Sequence, residues 1–142
     1  MTRFYCPGCW EDFAEDLDPC PHCGLNIQSF LDSLDRVEKL VVALEHREPS
    51  TRLRAAWLLG EAGGSRAVEA LVLLATRTKD IYLKVTAIRA LGKSGDVAAK
   101  PFLEGLAEHP SPWVRQEATE ALGRLAAETG VATEPGARGS SR

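Results

Sequence analysis

Three segments of the chain repeat one pattern. They are TRLRAAWLLGEAG from Thr51, LKVTAIRALGKSG from Leu83 and VRQEATEALGRLA from Val114, with shared glycines at Gly60, Gly92 and Gly123. The glycines are 32 and 31 residues apart, and apolar residues recur in each segment every three or four positions, which is the spacing of one helix face. A repeat of this length predicts a solenoid in which each unit buries its apolar face against the next.

A second apolar stripe precedes each of these segments. The stripes begin at Phe30, Ala67 and Ala98. Residues typical of helix starts stand before the six predicted helices: a capping box of Ser29 with Asp32, then Ser50, Ser65, Asp80, Asp96 and Ser111. We therefore predict an all-α fold, with a short α-solenoid of three helix pairs over residues 29–127.

The repeats resemble HEAT repeats, specifically the short HEAT-like repeats of phycobilisome lyases. The resemblance rests on SPWVRQEATEALG and DIYLKVTAIRALG, and it covers residues from about Asp32 to Ala127. The first copy departs from the pattern because Thr51 and Leu58 stand where valine and alanine are usual. The resemblance implies a HEAT-like solenoid and specifies the fold more than the function.

All four cysteines lie within the first 23 residues. They are Cys6, Cys9, Cys20 and Cys23, in the pattern C-x2-C-x10-C-x2-C. Two residues between cysteines allow one tight turn to aim both sulfurs at a single point, and two such turns supply four thiolates for a tetrahedral metal. Both turns are Cys-Pro-x-Cys, and the second continues into Gly24, which tolerates a positive φ. The pattern resembles zinc ribbons, so we predict a small ribbon with structural Zn²⁺ over residues 1–28.

Other uses of the cysteines can be weighed from the sequence. Disulfides suit a secreted protein, but no signal peptide opens the chain, and a thioredoxin-type motif needs a single C-x-x-C at a helix start. Iron uses the same four thiolates and stays open beside zinc. Four protein ligands leave no position for a metal-bound water, which indicates a structural site. We interpret His22 as an exposed spacer and expect Phe4, Tyr5, Trp10 and Phe13 to cover the ribbon.

Charge is distributed unevenly along the chain. The net charge is −3, with seven acidic residues and one basic residue in residues 1–35 and 14 basic against 11 acidic residues in residues 36–126. An acidic head is poorly suited to a phosphate backbone. No apolar run reaches the roughly 18 residues of a membrane span, so we expect a cytoplasmic protein without membrane contact. Residues 128–142, rich in Gly, Ser and Pro, are predicted to be a disordered tail.

Partner binding is expected at positions that the repeat does not constrain. The residues three and six positions before each glycine should face away from the alanine stripe, and five of them are candidate partner-binding residues: Arg54, Trp57, Arg89, Glu117 and Glu120. Trp57 is the strongest candidate because Trp and Arg dominate binding hot spots; the alternative is that it fills the core. Arg52, Lys84 and Arg115 recur at one offset, which favours a structural role at helix ends or beside neighbouring acids.

No catalytic constellation is visible. The histidines His22, His46 and His109 belong to no Ser-His-Asp set, and the chain has no glycine-rich phosphate loop. It also has no His-Glu dipeptide, whereas the HEAT-repeat deoxyhypusine hydroxylases use His-Glu pairs to bind iron. The resemblance to phycobilisome lyases raises bilin attachment, but nothing in the sequence is specific to a tetrapyrrole.

We therefore predict that the chain is not an enzyme but a protein-binding adaptor or scaffold with no evident small-molecule substrate. The alternative is a nucleic-acid-binding accessory protein, which would need a continuous basic stripe. The residues that would form this stripe are Arg52, Arg54, Lys84, Arg89 and Arg115.

Overall fold

The fold is built from helices, with one small sheet at the N-terminal end. The computed structural model describes residues 2–129, and within that range the helices are α1 (Ile27–Asp32), α2 (Arg36–Ala43), α3 (Pro49–Ala62), α4 (Ser65–Arg77), α5 (Ile81–Ser94), α6 (Lys100–Gly105) and α7 (Pro112–Thr129). Strands β1 (Phe4–Tyr5) and β2 (Asp12–Phe13) pair antiparallel. Short 3-10 turns, Val97–Ala99 and Leu106–Glu108, flank α6. The predicted all-α architecture is confirmed. The first two residues of the predicted tail, 128 and 129, belong to α7, and residues 130–142 lie outside the described part of the chain.

The first predicted helix is two helices. The apolar stripe from Phe30 to Leu44 predicts one continuous helix, but the chain breaks between α1 and α2. The carboxylate of Asp35 accepts the backbone N–H of Glu38 at 2.8 Å, and the Glu38 carboxylate accepts the backbone N–H of Asp35 at 2.9 Å. This reciprocal capping box starts a new helix at Arg36.

The capping box predicted at Ser29 and Asp32 is wrong. Ser29 lies inside α1, and the Asp32 carboxylate accepts a hydrogen bond from the Gln28 side chain at 2.8 Å. The N-terminus of α1 is capped from the ribbon instead, because Asp18 accepts the backbone N–H groups of Ile27 at 2.8 Å and Gln28 at 3.0 Å. A carboxylate from a distant loop position therefore replaces the local cap.

The described residues form two compact units, one up to Ala55 and one from Ala56. The first contains the ribbon, α1, α2 and the first turns of α3. Its ribbon core consists of Cys6, Phe13 and Cys20, and the partly buried residues packed against them are Phe4, Cys9, Leu25 and Ile27. Because Ile27 is the first residue of α1, these contacts of Leu25 and Ile27 join the ribbon to that helix.

The second unit has an aliphatic core. Helix α5 packs against α4 and α7, and α6 packs against α7. The largest fully buried side chains of this unit are Leu59, Leu71, Val85, Ile88, Leu91, Leu103 and Val114. These positions are the apolar stripes of the repeat, so their burial supplies the driving force for stacking the helices.

The repeated glycines mark where successive helices touch. A Cβ atom added to Gly60 would lie 2.8 Å from the Cβ of Ala90, and one added to Gly92 would lie 2.8 Å from the Cβ of Ala121. Only glycine permits this approach of two helix backbones. A Cβ on Gly123 would meet nothing within 4 Å, because α7 is the last helix of the described chain.

One hydrogen-bonding device recurs in the three loops that precede α3, α5 and α7. The imidazole Nδ1 of His46 accepts the backbone N–H of Glu48 at 3.0 Å, and Nδ1 of His109 accepts that of Ser111, also at 3.0 Å. In the middle repeat, Thr78 takes this position. Its hydroxyl accepts the backbone N–H of Asp80 at 3.1 Å.

Six residues after each of these acceptors stands a basic side chain that binds backbone carbonyls of the preceding loop or helix. Arg52 donates to the carbonyl of His46 at 2.5 Å, and Arg115 donates to that of His109 at 2.6 Å. Lys84 donates to the carbonyl of Ala75, in the last turn of α4, at 2.5 Å. These hydrogen bonds agree with the predicted structural role of the recurring basic residues. Lys84 and Arg115 bind carbonyls at helix ends, whereas Arg52 binds carbonyls of the loop after α2.

Candidate functional site

The first cysteine turn closes around Cys6. The backbone N–H of Trp10 donates to the Cys6 carbonyl at 2.8 Å, and the N–H of Gly8 donates to the Cys6 sulfur at 3.3 Å. Trp10 has a φ of 62°, a left-handed conformation that is uncommon for a bulky residue. The sequence pattern indicated this conformation after the second turn only, since there the residue is glycine.

The second turn has the same bonds. The N–H of Gly24 donates to the Cys20 carbonyl at 2.9 Å, and the N–H of His22 donates to the Cys20 sulfur at 3.3 Å. Gly24 has a φ of 81°, as predicted from its place after the last cysteine. Backbone N–H groups aimed at sulfur stabilise a thiolate, which is the form that binds metal.

The two turns bring all four sulfurs together. The Sγ atoms of Cys6 and Cys23 are 3.6 Å apart, those of Cys9 and Cys20 are 3.8 Å apart, and all four lie within 4.8 Å of one another. Tetrahedral metal–sulfur bonds of about 2.3 Å place sulfurs roughly 3.8 Å apart. No disulfide joins the cysteines, and the cluster has the geometry to hold one metal ion.

Ionisation of the cluster favours a cation at its centre. Although burial raises it, backbone N–H groups of Cys23 and His22 and the neighbouring thiols lower the pKa of Cys20 to about 6. Although the backbone N–H of Glu11 lowers it, burial and the other three thiols raise the pKa of Cys9 to about 12. One proton leaves readily and another is held, because adjacent thiolates repel one another. A bound cation removes that repulsion.

Two of the four aromatic residues that were predicted to cover the ribbon contact His46 instead. Phe4 and Phe13 belong to the ribbon core, but the rings of Tyr5 and Trp10 lie 4.4 Å and 5.0 Å from the ring of His46, measured between centroids. The backbone N–H of Glu48 occupies the Nδ1 of that histidine, and burial lowers its pKa. Within the first unit, the ribbon is thus held against the loop that follows α2.

Charged contacts add to this attachment. Arg47 donates to the backbone carbonyl of Trp10 at 3.1 Å and lies 3.5 Å from the carboxylates of Glu11 and Asp12. The Tyr5 hydroxyl donates to the Glu48 carboxylate at 3.3 Å. Arg47 therefore neutralises part of the negative charge of residues 1–35.

His22 is exposed at the second turn. Its ring stacks on Phe13, with 6.3 Å between centroids, and the cluster of potential ligands among the described side chains of residues 2–127 consists of the four cysteines. This placement agrees with the interpretation of His22 as a spacer.

Trp57 lies on the surface. Its side chain is 41% exposed, and the ammonium group of Lys93 lies 3.4 Å from the centroid of its ring. The same ammonium pairs with the carboxylate of Glu61 at 3.0 Å. The alternative that Trp57 fills the core is therefore wrong, since a cation–π contact and an ion pair hold it at the surface.

Glu117 does not face away from the core as its offset predicts. It is 7% exposed and accepts two hydrogen bonds from the guanidinium of Arg89, at 3.2 Å and 2.5 Å. These hydrogen bonds raise the pKa of Arg89. The two residues join α5 to α7, and this pairing depends on the register between repeats, which the offset within one repeat does not show.

The remaining two candidates are exposed. Arg54 lies on α3 and Glu120 on α7, and Glu120 accepts a hydrogen bond from Gln116 at 3.2 Å.

No helix within residues 2–129 combines the length and hydrophobicity of a membrane span.

Comparison with protein families identifies the repeats. The family described as HEAT repeats matches residues 37–123. The chain belongs to the HEAT-repeat family. The HEAT repeats cover most of the described helices, and their scaffold fits a role in protein interaction. A comparison with curated proteins found no match.

One similar solved structure is the complex of CpcE and CpcF of phycocyanin lyase from Nostoc sp. PCC7120. The similarity has a TM-score of 0.58 and 28% sequence identity, and it covers 78% of this chain. This HEAT-repeat chain spans 42% of the length of the chain it matches. The likeness contradicts our prediction that the chain is not an enzyme, because the similar structure is that of a lyase.

Proposed function

We propose that this chain is a protein-binding HEAT-repeat module, with a zinc ribbon over residues 1–28 and the repeats over residues 29–127. The observation that supports this most is Trp57, a large aromatic side chain held at 41% exposure by Lys93. Tryptophan is among the residues most enriched in binding hot spots. Arg54 and Glu120, also exposed, extend the candidate surface, whereas Arg89 and Glu117 position α5 against α7.

The metal is proposed to be structural Zn²⁺ bound by Cys6, Cys9, Cys20 and Cys23. Four thiolates close the coordination sphere, which suits zinc that stabilises a fold. Cysteines stay reduced in the cytosol and so remain available to bind metal, which fits the cytoplasm as the place of action. Elemental analysis of purified protein should find one zinc per chain; iron with the visible absorption of an iron–thiolate centre would contradict the assignment.

Site-specific photo-crosslinking tests the proposed surface. A benzophenone amino acid at Trp57 should give a discrete covalent adduct with a protein in the native cell, because this position contacts the partner. The same amino acid at Glu104, an exposed residue of α6, is the matched control. Equal adducts at the two positions, or none at Trp57, would contradict the proposal.

Nucleic-acid binding is less favoured by the contacts of the basic residues. Arg52, Lys84 and Arg115 donate to backbone carbonyls, and Arg89 is paired with Glu117. Of the five residues that a basic stripe requires, Arg54 alone remains without such a contact within the described chain. Fluorescence anisotropy with labelled DNA and RNA at low salt should accordingly detect no binding.

The second candidate is a lyase-like activity of the bilin-attachment type, favoured by the likeness to the phycocyanin lyase structure. It is compatible with protein binding, since such an enzyme must hold its acceptor protein. Incubation with phycocyanobilin and apo-phycocyanin, followed by denaturing electrophoresis with zinc-enhanced fluorescence, tests it. A covalent chromophore that forms only with this chain present would support the activity, and its absence would count against it.

A further inference from the structure

A cavity in the second unit has the chemistry of an anion-binding subsite. It has a volume of about 370 Å³ and is lined by Trp57 of α3, Gly92 and Lys93 of α5, and Arg124 and Ala127 of α7. One helix from each repeat thus contributes to it. The three helices come from the three segments that define the repeat.

The lining residues include two positive charges and no negative one. The ammonium of Lys93 is fixed between the Trp57 ring and the Glu61 carboxylate, so it is oriented before any ligand arrives. Arg124 is exposed, and its guanidinium has no hydrogen-bond or ion-pair partner among the side chains described, those of residues 2–127. One cation is therefore preorganised, and the other is available to a ligand.

The charges follow the register of the repeat. Glu61, Lys93 and Arg124 each stand one position after the repeated glycine. Glu61 partly neutralises Lys93, whereas no acidic residue of a later helix in the described chain pairs with Arg124. Positive charge is consequently concentrated at the α7 side of the cavity, beside the apolar ring of Trp57 and the methyl group of Ala127.

We propose that this cavity binds an acidic segment of a partner protein, with a carboxylate held by Arg124 and Lys93 and a neighbouring apolar side chain on the Trp57 ring. The inference rests on the proposed protein-binding function and specifies the chemistry of the partner. Arginine is suited to this role because its planar guanidinium binds a carboxylate with two hydrogen bonds. The exposed aromatic surface supplies the apolar contact that a charge pair alone lacks.

Selection from a random peptide library displayed on phage tests the inference. The baits are the full-length, metal-loaded protein and its Arg124→Glu, Trp57→Ala and Lys100→Glu variants. Lys100 is an exposed lysine of α6 outside the cavity, so its reversal changes the net charge equally. The wild-type and Lys100→Glu baits should enrich peptides with Asp or Glu beside an apolar residue. Arg124→Glu should weaken individual enriched peptides about tenfold or more.

The outcomes separate this inference from the function on which it rests. Neutral or basic peptides that require Trp57 would overturn the acidic-segment inference and leave the protein-binding function intact. Acidic peptides weakened equally by Arg124→Glu and Lys100→Glu would also overturn it, because the effect would then come from net charge. Failure of the wild-type bait to enrich peptides over the Arg124→Glu bait overturns it as well. The crosslinking at Trp57 decides the protein-binding function independently.

Discussion

The ribbon and the repeats of this protein are stabilised by different means. The buried core of the ribbon consists of Cys6, Phe13 and Cys20, so two of its three buried side chains are candidate metal ligands. The second unit buries aliphatic side chains from successive helices. A segment of about 28 residues buries too little apolar surface to fold alone, whereas stacked repeats supply their own core. The comparison explains why cysteine is confined to one end of the chain.

Removal of one sulfur should have the largest effect. Replacement of Cys20 by serine leaves three thiolates, so the bound metal should be lost and the ribbon should unfold, while α4 to α7 stay folded. Limited proteolysis with mass spectrometry should show new cleavage within residues 4–25 only. His22→Ser changes an exposed residue of the same turn and should retain metal. Protection of the ribbon in Cys20→Ser would break the comparison.

Substitution of the repeated glycines should change the stability of the repeats through packing and not through metal binding. Gly92→Ala places a methyl group 2.8 Å from the backbone Cα of Ala121, so the variant should lose about 2 kcal/mol of unfolding free energy. Gly123→Ala meets nothing within 4 Å and should gain about 0.5–1 kcal/mol from helix propensity. Urea denaturation followed by circular dichroism measures both. Equal effects at the two glycines would contradict the helix contact.

The inter-repeat ion pair should contribute less. Glu117→Ala removes a buried carboxylate from Arg89, whose side chain is 42% exposed and can be hydrated by solvent. The expected loss is therefore only about 1 kcal/mol. Glu120→Ala, at an exposed position of the same helix, should change the unfolding free energy by no more than about 0.5 kcal/mol. A larger loss at Glu120 would reverse the assignment of structural and surface roles.

The smallest effect should be the pH dependence at His46. Burial lowers the folded-state pKa of His46 below the ordinary value of 6.5, so protonation opposes folding. The contribution of the neutral ring is complete above about pH 6.5 and decreases as the pH falls toward the lower folded-state value. The stability advantage of wild type over His46→Gln should therefore shrink between pH 7.5 and 5. Protonation of the cysteine ligands on acidification affects wild type and His46→Gln alike, so it cancels in the comparison. An advantage that grows on acidification would contradict this sign.

The periodic features of this chain could be predicted, and the contacts between repeats could not. The helix pairs, the cysteine turns and the positive φ of Gly24 follow from local spacing. The break at Asp35 was also present as Asp-x-x-Glu but was hidden by a continuous apolar stripe. The pairing of Arg89 with Glu117 depends on how neighbouring helices are aligned. The exposure of Trp57 depends likewise on the placement of Lys93 above its ring.

The recurring loop device shows a further limit of offset comparison. His46, Thr78 and His109 are 32 and 31 residues apart, like the glycines, and each accepts the backbone N–H two residues later. Histidine and threonine are dissimilar in sequence but provide the same hydrogen-bond acceptor. The sequence did carry a signal for this device, because each acceptor stands six residues before a basic residue. It becomes visible when the repeats are compared by hydrogen-bonding capacity and not by residue type.

Amide-resolved NMR of one sample with and without its metal tests the central claim most directly. Spectra of ¹⁵N-labelled protein would be recorded metal-loaded, after chelation, and after zinc is restored. We predict that the ribbon amides, residues 4–25, collapse to random-coil positions and return with zinc, while the amides of α4 to α7 keep their dispersion. Ribbon amides that stay dispersed without metal, or repeat amides that collapse together with them, would contradict the account.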